Sequence, residues 1–218
     1  MNKLALIFPC YYPAIQFGGP SIASKTFYMT LNKSLKISMI TTDAGLSKED
    51  AKIAQLDGVV IHILKFKPLE RFGIFFSGYK NLFKIIKNND YIYLRGIWCY
   101  ITVVALVFSI ILKKNLIVAS TGKIPALSQI DLSKDNLKMR LKILFARFLL
   151  RSSKYIHYTS CNEYAASKLF LEMYSIKTKP IILPTAIPFD MDKFSYENDA
   201  GKISDLNFLI MSRLTPIK

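Results

Sequence analysis

The sequence predicts an α/β fold with a doubly wound parallel sheet, and three observations lead to this prediction. Short apolar runs of strand length alternate with longer segments of helical spacing along most of the chain. Several of the strand-length runs are apolar throughout, which is typical of a parallel sheet covered by helices on both faces. Apolar residues make up 51% of the 218 residues, so the chain can bury a substantial core.

The first unit is a strand, a glycine-containing loop and a helix. Residues 4–8 form an apolar strand, and Gly18 and Gly19 follow in the loop. The helix is predicted from apolar residues at a spacing of four: Ala23, Phe27 and Leu31. Free backbone N–H groups at such a helix N-terminus favour an anion, most often phosphate. The loop lacks the Gly-Lys-Ser/Thr of a P-loop and the Gly-x-Gly-x-x-Gly of a dinucleotide site. Taken alone, the two glycines favour a plain turn over a phosphate site.

The remaining elements follow from the same periodicities. Strands are predicted at residues 35–42, 59–64, 91–94, 116–119, 155–158, 180–183 and 206–211. Helices are predicted at residues 75–86, 97–112, 137–154 and 164–173, and polar residues 43–55 are predicted to form a loop. In such a sheet, ligands bind at the carboxyl ends of the strands, so the loops that follow the strands are the expected site.

The most apolar helix, residues 97–112, is shorter than the ~20 residues that span a bilayer and is closed by Lys113 and Lys114. It is predicted to be a buried core helix, with a re-entrant or interfacial helix as the alternative. No signal peptide is evident at the N-terminus.

Composition narrows the possible partners. The formal net charge is +15, which suggests a polyanionic neighbour: nucleic acid, an acidic membrane surface or a phosphorylated substrate. The cysteines Cys10, Cys99 and Cys161 lie far apart in the sequence, which fits a reducing cytoplasm and predicts neither a disulfide scaffold nor a metal site.

The helix at residues 137–154 is basic. Arg140, Arg147, Arg151 and Lys154 recur at i, i+7, i+11 and i+14, which places them on one stripe. One interpretation is a core helix with a solvated charged stripe. The other is a membrane-facing surface laid against anionic lipid head groups.

The helix that follows residue 160 begins with a capping box. Ser160 and Glu163 have the Ser-x-x-Glu spacing in which both side chains accept hydrogen bonds from otherwise unpaired backbone donors. A structural role is therefore expected for both residues.

Segments along nearly the whole chain, in the order of the family, resemble the N-terminal half of GT-B glycosyltransferases, and more narrowly the family 4 retaining enzymes of bacterial surface polysaccharide synthesis. The matching segments are Tyr12-Pro13 through Gly18-Gly19-Pro20, Arg95-Gly96-Ile97-Trp98, Thr121-Gly122, Tyr158-Thr159-Ser160 with Glu163, residues 184–194, and Ser212-Arg213-Leu214 with Pro216 and Lys218.

The resemblance implies a Rossmann-like N-terminal, acceptor-side domain over residues 1–200 and the start of a truncated donor-binding domain at 201–218. Gly18 and Gly19 would approach the donor phosphate through their amides, and Arg213 and Lys218 would bind the nucleotide diphosphate. Fixed cations can stabilise the charge that develops on the leaving group.

The resemblance also implies an acceptor-side cleft. Its residues would be Arg95, Trp98, Thr121, Gly122, Ser160 and Glu163. Because two fixed cations could stabilise the leaving group without a metal, no metal and no cofactor are expected, and no residue is assigned as catalytic. For Trp98, packing in the core competes with stacking on a sugar.

The function implied is retaining, metal-independent transfer of a hexosyl-type sugar from a nucleotide sugar to a lipid-linked or polysaccharide acceptor. Such an enzyme would lie in the cytoplasm, peripherally associated with the inner face of the plasma membrane and its anionic surface. The chain ends just inside the second domain of the family, so it is expected to be an incomplete, inactive N-terminal portion.

Two alternatives remain at this point. The charge alone would also suit a non-enzymatic basic module, but no nucleic-acid motif is present and no nucleic-acid partner is expected. A sugar-nucleotide epimerase would share the fold, but its catalytic carboxylates cannot be assigned here.

Overall fold

The strands of the computed structural model pair into one sheet of seven parallel strands in the order β3-β2-β1-β4-β5-β6-β7. The structure describes residues 3–14, 17, 19–32, 35–56, 62–64, 78–128 and 137–184, all within one compact unit, Met1–Pro188. The strands are β1 Lys3–Ile7, β2 Lys36–Thr42, β3 His62–Leu64, β4 Tyr91–Arg95, β5 Asn115–Ala119, β6 Tyr155–Tyr158 and β7 Lys179–Ile182.

Helices connect the strands. They are α1 Gly19–Leu31, α2 Lys48–Leu56, α3 Tyr79–Asn88, α4 Tyr100–Ile111, α5 Lys123–Ser128, α6 Leu137–Ser152 and α7 Cys161–Met173. Parallel strands need such crossovers because a tight turn cannot return the chain to the same end of the sheet. The predicted α/β, doubly wound parallel sheet is confirmed.

Strand β1 shows why helices must cover both faces. Ala5 and Ile7 belong to the core beneath α3, α4, α6 and α7, whereas Leu4 and Leu6 belong to a second core that α1 covers. Successive side chains of a strand point to opposite faces, and here both sets are buried. An apolar strand with no polar alternation therefore has to lie inside the sheet.

Two helices were not predicted. Most of α2 falls in the region predicted as a loop, 43–55, and the capping signal of this helix was present in the sequence. The Ser47 hydroxyl accepts from the Asp50 N–H at 3.0 Å, and the Asp50 carboxylate accepts from the Ser47 N–H at 3.0 Å. The short helix α5 was also missed, because its 6 residues show too little periodicity.

Helix α4 is a core helix, as predicted. Ile101, Ala105 and Leu106 are buried against the sheet. The helix begins later than predicted because Gly96 has φ +92°, a conformation that breaks a helix, and the Thr102 hydroxyl donates to the Gly96 carbonyl at 2.7 Å. Among the described residues, no helix is both long enough and apolar enough to cross a bilayer.

The predicted strand at 206–211 and the proposed domain boundary at residue 200 lie outside the described residues, and both stay predictions.

A substitution in the central strand tests the two-sided core. Ile92 in β4 is fully buried, so Ile92→Ala is expected to lower the free energy of unfolding by roughly 2–5 kcal/mol. The control is Ile182→Ala in edge strand β7, where the side chain is 41% exposed and a loss of about 1 kcal/mol or less is expected. Urea denaturation measures both, and equal losses would contradict the assigned burial.

Candidate functional site

The strand order places a crevice between β1 and β4. The chain runs outward from β1 through β2 to β3, then returns to the other side of β1 and continues through β4 to β7. Loops that follow strands on the two sides of such a switch point diverge, which leaves a crevice at their carboxyl ends. The loops after β1 and β4, predicted from sequence as parts of the site, are therefore neighbours.

Arg95 ends β4 and is half-buried at this crevice. Its guanidinium carbon lies 5.6 Å from the ring centroid of Phe8, at the end of β1. Within the part of the chain that the structure describes, Arg95 forms no ion pair. A half-buried cation without a carboxylate partner can bind an anionic group of a ligand.

The loops that carry Arg95 and Phe8 pack closely. A Cβ on Gly96 would lie 3.1 Å from the Cys99 sulfur and 3.3 Å from Pro9. The pKa of the Cys10 thiol is raised to about 12, chiefly by burial and also by the nearby Cys99, whereas Arg95 lowers it. Cys10 is therefore a neutral packing residue and not a nucleophile.

Gly19 begins α1 on the other side of the crevice. It is exposed, and a Cβ placed on it would meet nothing within 4 Å. Pro20 follows in the first turn of the helix, where a missing N–H costs no hydrogen bond. Gly18 lies outside the described residues, and so do Arg213 and Lys218, so their predicted phosphate-binding roles stay predictions.

Glu163 joins the loops after β5 and β6. One carboxylate oxygen accepts from the Gly122 N–H, and the other accepts from the Thr159 N–H at 2.6 Å and the Thr159 hydroxyl at 2.7 Å. The Ser160 hydroxyl caps α7 by accepting from the Glu163 N–H at 3.1 Å. The Ser160 half of the predicted capping box is thus present, whereas the Glu163 carboxylate accepts from Thr159 and Gly122 and holds two loops together.

These hydrogen bonds fix the charge of Glu163. Burial raises the pKa of the carboxyl, but the donors from Gly122 and Thr159 outweigh burial and hold the pKa below its ordinary value. The same bonds support a strained turn, since Thr121 has φ +47° and Gly122 has φ +74°. Thr121, Gly122, Ser160 and Glu163 therefore form one rigid cluster on the sheet edge.

A buried hydrogen-bond chain beneath the site was missed at the sequence level. The Tyr93 hydroxyl lies 2.6 Å from His157 Nδ1, and His157 Nε2 lies 2.7 Å from the Leu183 carbonyl. A carbonyl only accepts, so Nε2 carries the proton and Nδ1 accepts from Tyr93. The signal was the polar His157 inside the apolar strand YIHY.

Trp98 faces α6. Its ring centroid is 6.3 Å from that of Phe145, and Lys142 Nζ lies 6.0 Å from the Trp98 ring. These are packing contacts, and a role toward an acceptor stays a prediction.

The four basic residues predicted to face a membrane are in different surroundings. Arg147 lies over the Tyr174 ring at 4.5 Å, and Arg151 donates to the Tyr174 carbonyl at 2.8 Å. Lys154, just past the end of α6, donates to the Asn115 side chain at 3.2 Å. Arg140 is exposed on α6. Part of the predicted stripe thus has contacts within the fold.

Among the described residues, no group of three or more His, Cys, Asp or Glu side chains could hold a metal ion. The expectation of a metal-independent site stays a prediction.

Solved structures with the same fold include HepE from Anabaena in three complexes. With UDP and glucose, the TM-score is 0.57 at 11% identity over 86% of this chain and 45% of HepE. For the UDP-glucose complex, the TM-score is 0.56 at 11% identity, over 86% of this chain and 44% of HepE. For the complex with UDP alone, the TM-score is 0.51 at 13% identity, over 86% of this chain and 44% of HepE. No protein-family model matches the sequence, and no curated protein matches it significantly.

The described chain shares a Rossmann-like α/β fold with HepE, the fold that the sequence resemblance implied. It spans less than half the length of HepE. At 11–13% identity, this likeness concerns the fold alone.

The Glu163 bridge predicts a pH-dependent stability difference. Glu163→Gln keeps the size but replaces one acceptor by a donor, so the free energy of unfolding at pH 7 is expected to fall by about 1–2 kcal/mol. Because the folded-state pKa is depressed, the wild-type advantage is present above the ordinary carboxyl pKa of 4.5 and is lost as the pH falls through the folded value.

Urea denaturation between pH 7 and pH 3.5 measures this difference. Ser160→Ala is the control, since it removes a cap worth about 1 kcal/mol without removing a charge. A difference between Glu163→Gln and wild type that stays constant over this range would contradict the bridge.

The His157 chain predicts a second pH effect in a different range. Burial lowers the pKa of His157, the bond to Leu183 raises it and Arg95 lowers it, with a net decrease from the ordinary 6.5. Stability is therefore expected to be full above about pH 6.5 and to fall as the pH drops below it, because the unfolded state gains the proton first.

His157→Gln is expected to flatten the stability profile between pH 7 and pH 5.2. The chain has 2 histidines, so His62→Gln measures how much of the slope the other one contributes. An unchanged slope in His157→Gln would show that another group causes it.

Proposed function

We propose that the chain is the acceptor-side N-terminal half of a glycosyltransferase. The enzyme transfers a hexosyl-type sugar from a nucleotide sugar to a lipid-linked or polysaccharide acceptor. The reaction is retaining and uses neither a metal nor another cofactor. Transfer by such an enzyme also needs a donor-binding half.

One observation carries this proposal: Arg95, without an ion pair in the described part of the chain, and the open N-terminus of α1 at Gly19 flank the same crevice. The backbone N–H donors at Gly19 suit a phosphate of the donor, and the fixed cation Arg95 suits an anionic group of the acceptor. HepE supports the same class of ligand, because it has this fold and its structures contain UDP or UDP-glucose.

The chemistry of sugar transfer explains why backbone N–H groups and cations are suited to this site. Negative charge grows on the diphosphate as the bond from the sugar to the leaving oxygen breaks, and prearranged donors stabilise that charge without reorganising. The Gly18 and Gly19 amides act on the distal phosphate, together with Arg213 and Lys218. Arg95 binds the anionic group of a lipid-linked acceptor, and the Glu163 cluster holds the loop at Thr121 and Gly122 in shape.

The acceptor determines where the protein works. A lipid-linked acceptor is confined to a bilayer, so we place the protein in the cytoplasm, peripherally on the inner face of the plasma membrane. The net charge of +15 favours an anionic surface.

Gly19 provides a test that leaves the fold intact. A methyl group at this position meets nothing within 4 Å, so Gly19→Ala is expected to fold normally and to bind UDP-glucose about tenfold more weakly, by keeping a phosphate from the backbone amide. Amide chemical shifts of the chain, titrated with UDP-glucose, measure the affinity. Equal affinity for the variant and wild type would remove Gly19 from the site.

Arg95 is tested with inorganic pyrophosphate as the probe. Arg95→Gln is expected to weaken pyrophosphate binding about tenfold, the effect of losing one charged hydrogen-bond donor. Lys36→Gln is the matched control, because Lys36 is exposed at the start of β2, at the opposite edge of the sheet. Equal weakening in both variants would mean that overall charge, and not the crevice, attracts the anion.

The transfer reaction itself is tested with radiolabelled nucleotide sugars and bacterial membranes. The chain of residues 1–218 alone is expected to give no transfer, and a version carrying a donor-binding half is expected to label the lipid fraction. Failure of the longer version with all common donors would overturn the proposed reaction.

A further inference from the structure

Helix α6 has an apolar stripe that faces away from the sheet. We call this the outer stripe, and its exposed fractions are 73% for Leu137, 56% for Leu141, 59% for Leu144 and 52% for Phe148. The spacing is i, i+4, i+7 and i+11, which puts all four side chains on one side of the helix. Large apolar side chains exposed next to one another mark an interaction surface, whereas isolated ones do not.

The opposite side of α6 already supplies the core. Ile143, Ala146, Leu149 and Leu150 are buried against the sheet. A helix that is apolar on two sides is normally enclosed on both. The outer stripe is therefore not needed for the contact between α6 and the sheet.

Cations border the outer stripe. Arg140 and Arg151 are exposed and lie along one flank of it, and Lys142 is half-buried toward the other side, near Trp98. All charged residues of α6 are basic. An apolar strip with a basic border matches an anionic bilayer, in which phosphates lie just above the acyl chains.

The outer stripe continues toward the candidate site. Leu137 and Leu141 also line an apolar cavity of about 490 Å³, together with Trp98, Val103, Lys142 and Phe145. Trp98 belongs to the loop that begins just after Arg95. One surface thus runs from the outer stripe to the edge of the crevice.

We propose that the outer stripe, with Arg140 and Arg151, docks the protein on the surface of an anionic phospholipid bilayer. This rests on the proposed function in one respect, since a lipid-linked acceptor gives the docking its purpose. Charge favours a bilayer over a second copy of this chain, because two copies that met through this helix would bring like charges together. The leucines and Phe148 enter the headgroup boundary, and the arginines bind lipid phosphates.

The mode of binding differs from the one predicted from sequence. A purely basic stripe would lie on top of the head groups and release in high salt. Here the side chains at the centre of the contact are apolar, and Arg147, Arg151 and Lys154 have partners in the fold. The exposed Arg151 uses one N–H donor for the Tyr174 carbonyl, and a guanidinium has five. The arginines select an anionic surface, and the apolar side chains hold the helix there.

The test is sedimentation of the full chain with vesicles of phosphatidylcholine, with and without phosphatidylglycerol. Wild type is expected to bind only the anionic vesicles. Leu144→Glu and Phe148→Glu are each expected to weaken binding about tenfold or more. The double variant Arg140→Gln/Arg151→Gln is expected to weaken vesicle binding about 30-fold, since each near-surface cation strengthens binding about fivefold.

Matched controls lie on α7 and just after it. Leu169 is 58% exposed, so Leu169→Glu introduces the same charge at an equally exposed apolar position, and Lys177→Gln removes an exposed cation. Both are expected to bind as wild type does, and circular dichroism confirms that every variant is folded. If the controls lose as much binding as the α6 variants, net charge and not the outer stripe binds the vesicles.

Other results would also overturn the docking. Equal binding to neutral vesicles would remove the role of the arginines. A wild-type dimer in solution that Phe148→Glu converts to a monomer, without any vesicle binding, would assign the outer stripe to a second copy. The vesicles contain no acceptor and no nucleotide sugar, so bilayer docking and the proposed transfer fail or hold separately.

Discussion

The pairing of β1 with β4 is the constraint on which the rest of the structure depends. β1 is hydrogen-bonded to β2 on one side and to β4 on the other, and its residues supply both cores. Because helices lie on both faces, polar side chains have room only at the ends of the strands. The return of the chain at this pair opens the crevice. The same pairing brings Phe8 beneath Arg95. These residues are far apart in the sequence, and no local or periodic pattern could have revealed their contact.

The loops around the crevice are held by side chains, since no ladder extends beyond the strand ends. Glu163 carries most of this task on one side, because a single carboxylate accepts from Gly122 and Thr159 on neighbouring loops. Thr102 has the corresponding role on the other side, through its bond to the Gly96 carbonyl. Arg95 forms no ion pair among the described residues, so within that part of the chain its charge is not neutralised. Rigid loops around an unneutralised cation suit a site that binds a charged ligand.

Helix α6 has two apolar sides, one packed against the sheet and one exposed. Ile143 and Leu150 bind it to the sheet, while Leu144 and Phe148 face outward. Its arginines are divided in the same way: Arg147 stacks on Tyr174 within the fold, and Arg140 is exposed. A protein that used this helix only for packing would have no reason to place leucines outside. The outward side chains are those that we propose to dock on an anionic bilayer.

The sequence by itself determined the parallel α/β architecture, most of the strands and the cap at Ser160, because these depend on local periodicity and on short-range hydrogen bonds. It also indicated which loops would form the site, since the carboxyl ends of parallel strands share one edge. Only the tertiary structure decided that Glu163 would bridge two loops, that His157 would join Tyr93 to Leu183, and that the outward side of α6 would be apolar. Each of these depends on which residues meet across strands or on which side of a helix meets the sheet, and neither is encoded in the spacing of residues along a single element.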